Sequence, residues 1–219
     1  MRGSRYTAAA LLFAMALGLP SCAIPAWFAA QFAPPKKVEP LFEMPKGKTV
    51  LVFVDDILNP VNYEPIKVEL TKQINAQLRA LEVAGKAIPY NRLADVMAST
   101  PNFNALAVSE VGRRVGADLV LWVHVDEFRL RDQAAEEQLW RGYLEVSLRV
   151  VDVRKGRLWP KDREWGYTLP PVETPTTSQS SKTYAEELAK TLSGKAAIRV
   201  AQVFCEHEVP YEGGWPEKD

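Results

Sequence analysis

The sequence predicts an α/β protein, a mixed β-sheet of about five strands with helices packed on it, including a long C-terminal helix. Three observations carry that expectation. Thr49–Val54 is an unbroken β-branched and apolar run, the pattern of a strand buried on both faces and therefore central in a covered sheet. Two later segments, 118–131 and 141–153, alternate with period two over their whole length, the mark of paired strands. Elsewhere apolar residues recur at three- and four-residue spacing, which lays a stripe along one face of a helix.

The elements follow in order. Asp55-Asp56 closes the first strand. Pro65 suits the first turn of a helix, where its missing N–H costs nothing. Ile66, Leu70, Ile74, Leu78 and Leu81 then form a stripe running to about Val83, and Gly85 ends it. A short strand is expected at 87–90, with Pro89 marking an edge or an end. Asn91 can cap a short helix holding Leu93, Val96 and Met97, and Pro101 breaks it. A second helix is expected from about Phe103 to Val115, stopped by Gly116. In strand 118–131, Leu119, Leu121, Val123 and Val125 share one face, and Trp122, His124, Asp126 and Phe128 the other. In strand 141–153, Leu144, Val146, Leu148 and Val150 oppose Tyr143, Glu145, Ser147 and Arg149. Gly156 supplies a turn, and a further strand is expected from Arg157–Trp159 and Arg163–Leu169 around Pro160. A loop rich in Pro, Thr and Ser, 170–181, leads to a helix from about Lys182 to Cys205.

Composition sets the outer limits. Lys+Arg and Asp+Glu number 27 each among 219 residues, so global electrostatics gives no reason to expect nucleic acid as a partner. A hydrophobic fraction of 47% is enough for one core, placed at 48–207. Residues 22–47, with Pro25, Pro34, Pro35, Pro40 and Pro45, read as an extended tether, and 208–219 as a disordered tail.

The N-terminus reads as a targeting segment. Arg2 and Arg5 precede an apolar stretch from about Ala8 to Leu19, shorter than the roughly 20 residues a membrane span needs. Residues 1–21 are thus a signal peptide. Leu19-Pro20-Ser21-Cys22 resembles a lipobox, which implies cleavage before Cys22 and acylation of its thiol. Ala23 after the cysteine implies, by the same resemblance, the outer membrane, facing the periplasm. The alternative is an ordinary secretory signal cut after Ala23, giving a soluble periplasmic or secreted protein. With lipid on Cys22, Cys205 has no intrachain disulfide partner.

Little in the sequence points to catalysis. His124 lies mid-strand with no Ser or Cys motif offering a nucleophile. Cys205-x-His207 has a spacing unlike that of zinc sites and no third ligand nearby in sequence. Neither an enzyme, a metal site nor a cofactor is expected. Asp55 and Asp56 are the best paired carboxylates, since open α/β sheets bind ligands at strand ends, although Asp is also a common way to leave a strand. Trp122, His124, Phe128, Tyr143 and Arg149 form a cluster on one sheet face. Covered by a helix they are core; left open they mark a partner site.

Val108–Val123 reads as helix, Gly-Ala-Asp, strand; Leu148–Trp159 reads as strand, Gly turn, return strand. Both, in this order, resemble envelope lipoproteins built on the TolB-N-terminal-like or CsgG-like α/β domain, over about Lys48–Phe204. That resemblance implies an accessory role through another envelope protein. The sequence departs from the pore-forming members of that group, and no pore is expected, because the insert 132–139 is too short and too charged for spanning strands of about 9–11 residues. A carrier or assembly factor for a lipid or glycan is the alternative, and it requires an apolar groove.

Overall fold

A computed structural model describes residues 36–56, 60–61, 63–131, 139–178 and 182–209. The chain divides into two compact units, Glu39–Glu206 and a second one formed by Met1–Val38 with His207–Asp219. In the second unit, β1 (Lys36–Val38) pairs antiparallel with the last of the described strands, His207–Val209.

The larger unit begins with β2 (Thr49–Asp55), followed by α1 (Pro65–Ala80), β3 (Lys86–Ala87), α2 (Tyr90–Ser99) and α3 (Val108–Val115). The long hairpin β4 (Leu119–Arg131) and β5 (Trp140–Asp152) comes next, then β6 (Gly156–Trp159), β7 (Tyr167–Thr168), β8 (Val172–Glu173) and α4 (Lys182–Gln202); β9 is the strand His207–Val209. The sheet has seven strands in the order β3-β2-β4-β5-β6, with β7 and β8 both added to β5. β2 runs parallel to β3 and β4, and the rest is antiparallel, so the sheet is mixed.

Helices cover both faces. On one, Val52, Leu121, Val123, Leu148 and Val150 meet Leu70, Ile74 and Leu78 of α1 and Leu192, Ala196 and Val200 of α4. Full burial of such a Leu is worth about 1.5–3 kcal/mol. On the other face, Leu51, Phe53, Val120, Trp122 and Val151 meet Leu93 of α2 and Val111 and Val115 of α3. α3 lies close to the sheet because Gly112 sits there: a Cβ would fall 2.5 Å from a Val120 methyl.

Several expectations need correction, the bounds of the tether and of the tail among them: Met44 is buried in the α1/α4 core with Phe42 packed against it, and Glu208 and Val209 belong to β9. The helix expected over Phe103–Val115 is two pieces, a 3-10 turn at Phe103–Ala105 and then α3. Asn102 is left-handed and Leu106 extended, which drops Phe103 onto Phe53 at 6.0 Å, edge to face, before α3 begins. Asn91 is not the cap of α2: Pro89 holds that position, and the Asn91 side chain accepts from the Arg92 N–H instead. Phe128 does not share a face with Trp122. Asp126 is an extra residue in β4, between the pairs Val125–Val146 and Glu127–Glu145, so alternation reverses there. Phe128 then stands opposite Leu144, packs on the α1/α4 core and stacks on Tyr63 at 5.8 Å.

Candidate functional site

The parallel register of β2 on β4 sets Asp55 beside His124 and Phe53 beside Trp122. Asp55, at 6% exposure, is the hub of a buried polar cluster. One carboxylate oxygen lies 2.6 Å from His124 Nδ1, and the other accepts from the Trp122 indole N–H. The two rings stack at 5.3 Å, and the Arg149 guanidinium covers the outer face of Trp122 at 4.4 Å. A buried carboxylate needs such donors, since without them its burial would cost several kcal/mol. Burial, aided by the nearby Arg157, lowers the pKa of Arg149.

His124 is 2% exposed, and its Nε2 meets no hydrogen-bond partner among the described residues. Across the hairpin stands Ser147. Its hydroxyl lies 2.7 Å from Asp126, to which it donates, and 2.8 Å from the Thr168 hydroxyl. Burial pushes the Asp126 carboxyl above its ordinary pKa, against the opposing pull of Ser147 and His124. A carboxylate orienting an imidazole is half of a nucleophilic triad. The other half is not assembled, because Ser147 is 3% exposed and its hydroxyl is engaged elsewhere.

Asp56 belongs to a different set. It accepts from the Val61 N–H at 2.9 Å and from Lys67 Nζ at 3.1 Å, and Lys67 also pairs with Glu64 at 2.8 Å. Burial alone would raise the Asp56 carboxyl, but Val61 and Lys67 outweigh it and hold the group below the usual range. Burial likewise works against the Lys67 charge, and Glu64 and Asp56 outweigh it. Asp55 and Asp56 line one cleft of about 340 Å³ at the C-terminal end of β2, where open α/β sheets place ligands. Lys67 is the member that sequence reasoning missed; a Lys in the first turn of a helix just after an acidic strand end was the available signal.

The remaining members of the predicted cluster spread along the hairpin. Trp122 and His124 are buried, and Arg149 is half-buried against Trp122. Tyr143 is half-buried farther out, with the Arg129 guanidinium over its ring at 4.5 Å. Arg129 also pairs with Glu127 at 2.6 Å, and Arg131 lies over Trp140 at 5.3 Å. Burial, then Glu145 and Glu127, push the Tyr143 hydroxyl upward. Past Trp122 this face holds no buried apolar residue among the described ones.

Cys22 lies outside the described residues. Cys205 is half-buried with its thiol on the Ala201 carbonyl, and burial raises its pKa. Among the described residues no helix is long and apolar enough to cross a membrane, and no group of three or more acidic, His or Cys side chains could hold a metal ion.

No protein family matches the chain, and no curated protein resembles it in sequence. Solved structures resemble it at low identity. Lipoprotein GNA1162 from Neisseria meningitidis is 15% identical, covering 68% of this chain and 97% of its own, with a TM-score of 0.41. The PelC dodecamer from Paraburkholderia phytofirmans is 14% identical, covering 77% and 96%, with a TM-score of 0.38. A minor lipoprotein from Acinetobacter baumannii is 13% identical, covering 71% and 90%, also with a TM-score of 0.38.

Proposed function

We propose that this chain is a membrane-tethered accessory lipoprotein of the bacterial envelope that binds another envelope protein and catalyses no reaction. Lipid on Cys22 holds it to the outer membrane on the periplasmic side. The domain is of the TolB-N-terminal-like or CsgG-like kind. The carrying observation is the outer half of the β4–β5 hairpin. Its helix-free side presents Tyr143 with the Arg129 guanidinium over its ring. Arg and Tyr are among the residue types that dominate binding energy at protein interfaces. Their stacking fixes the long side chains in advance, which lowers the entropy lost on docking.

Two measurements on intact cells test this reading. Cys22→Ala should move the protein from the membrane fraction to the soluble periplasm; retention in membranes would sink the anchor. A photo-crosslinking residue in place of Tyr143 should give one discrete adduct. The same residue in place of Leu81, which is 46% exposed, should give none. Equal adducts from both positions would remove the hairpin face as the docking surface.

A further inference from the structure

The cleft at the end of β2 has two unlike walls. One is apolar, made by Phe53, Tyr90, Leu93, Met97, Phe103 and Leu106. The other is charged, made by Asp55, Asp56, Glu64 and Lys67. The cleft's volume of about 340 Å³ lies at the small end of the range for small-molecule sites.

The charges on the polar wall do not balance. Asp56 and Glu64 both rest on the one Lys67 ammonium. Asp55 turns its oxygens to Trp122 and His124, with the Arg149 guanidinium just beyond the Trp122 ring, so it belongs to that buried cluster. On the open wall two carboxylates, Asp56 and Glu64, thus share one ammonium. Glu64 keeps a side chain 72% exposed at the mouth, free to swing towards a second cation. A cationic head gains there, and an anionic one meets like charge in a partly desolvated wall.

We propose that this cleft binds a small amphiphilic amine, its ammonium against Asp56 and Glu64 and its apolar body against the Phe53–Leu93–Phe103 wall. This stands apart from the anchor and the hairpin face, and its failure would leave both untouched. Met97 offers a direct probe, since it lines the cleft and is 36% exposed, whereas Met44 is 7% exposed in the α1/α4 core.

The test uses the full chain in detergent micelles, labelled with ¹³C at the methionine methyls and titrated with cyclohexylamine, cyclohexanol and cyclohexanecarboxylate. Cyclohexylamine should shift the Met97 methyl saturably while Met44 stays still, and should bind about ten-fold or more tighter than the carboxylate. Asp56→Asn should weaken the amine by about ten-fold without strengthening the alcohol. Glu64→Gln, at a largely exposed site, should weaken it in the same direction and serves if Asp56→Asn fails to fold. No saturable Met97 shift, equal affinity for amine and carboxylate, or amine binding unchanged in the folded variants would each overturn the proposal.

Discussion

The inner and outer halves of the β4–β5 hairpin are built from the same alternating strands, yet one is core and the other is half surface. In the inner half, Leu119 to Val125 are buried on both faces, with α1 and α4 beneath and α2 and α3 above the Trp122 end. Polar side chains that enter there converge on one another, as Asp55, His124 and the Trp122 N–H do. In the outer half, past the extra residue Asp126, only the α1/α4 side stays apolar, with Phe128 and Leu130 packed on it. The opposite side carries Glu127, Arg129, Tyr143 and Glu145, all half-buried. Strand alternation supplies two faces everywhere; the helix above decides whether the second face is core or available surface.

Breaking each half should cost different amounts. Leu121 is fully buried, and Leu121→Ala should lose about 3–5 kcal/mol in urea denaturation, the range for a cavity that cannot collapse. Tyr143→Ala, half-buried in the outer half, should lose under about 1.5 kcal/mol. Equal losses would mean that the outer half is core after all. The next effect belongs to the buried cluster. Asp55→Ala strands the Trp122 N–H and the His124 ring without their acceptor, at a cost of about 1–3 kcal/mol per orphaned group. Asp55→Asn keeps one amide oxygen and should lose less. If Asp55→Ala is as stable as the parent, the cluster does not hold β2 to β4, and the polar centre of the inner half is incidental.

Much of this architecture was written in local patterns. The apolar run of β2, the stripe of α1 and the alternation of β4 against β5 each name their element, because burial imposes a period that residues near in sequence can show. The site was legible only in part. Asp55 and Asp56 are visible as acids at a strand end, but their separation into two sets is not. Asp55 meets His124 69 positions away, and that meeting depends on which residue of β4 lies beside β2. No local pattern carries a parallel register. The reversal at Asp126 did leave a trace: Asp126-Glu127 puts two acids in succession where the alternation of 119–125 would have one. The break at Leu106 left none, since the burial of Phe103 against Phe53 is a tertiary contact that overrides local helix preference.

Asp126 stands where the two halves meet, and the smallest predicted effect tests which of them it belongs to. Burial raises its carboxyl pKa, while the Ser147 hydroxyl and His124 pull the other way. A carboxyl that holds its proton more tightly in the folded chain stabilises the fold below the ordinary carboxylate pKa of about 3.9, and loses that contribution as pH rises through the folded value. At neutral pH its charge is therefore a net cost. Asp126→Asn keeps an oxygen for the Ser147 hydroxyl and removes the titration. The variant should unfold at a slightly higher urea concentration than the parent at neutral pH. The gap should narrow steadily as pH falls through the carboxyl's raised folded value towards its ordinary one of about 3.9. A gap that stays constant with pH would trace the change to hydrogen bonding alone, and a variant weaker than the parent at neutral pH would place Asp126 on the solvated side of the boundary, with the outer half.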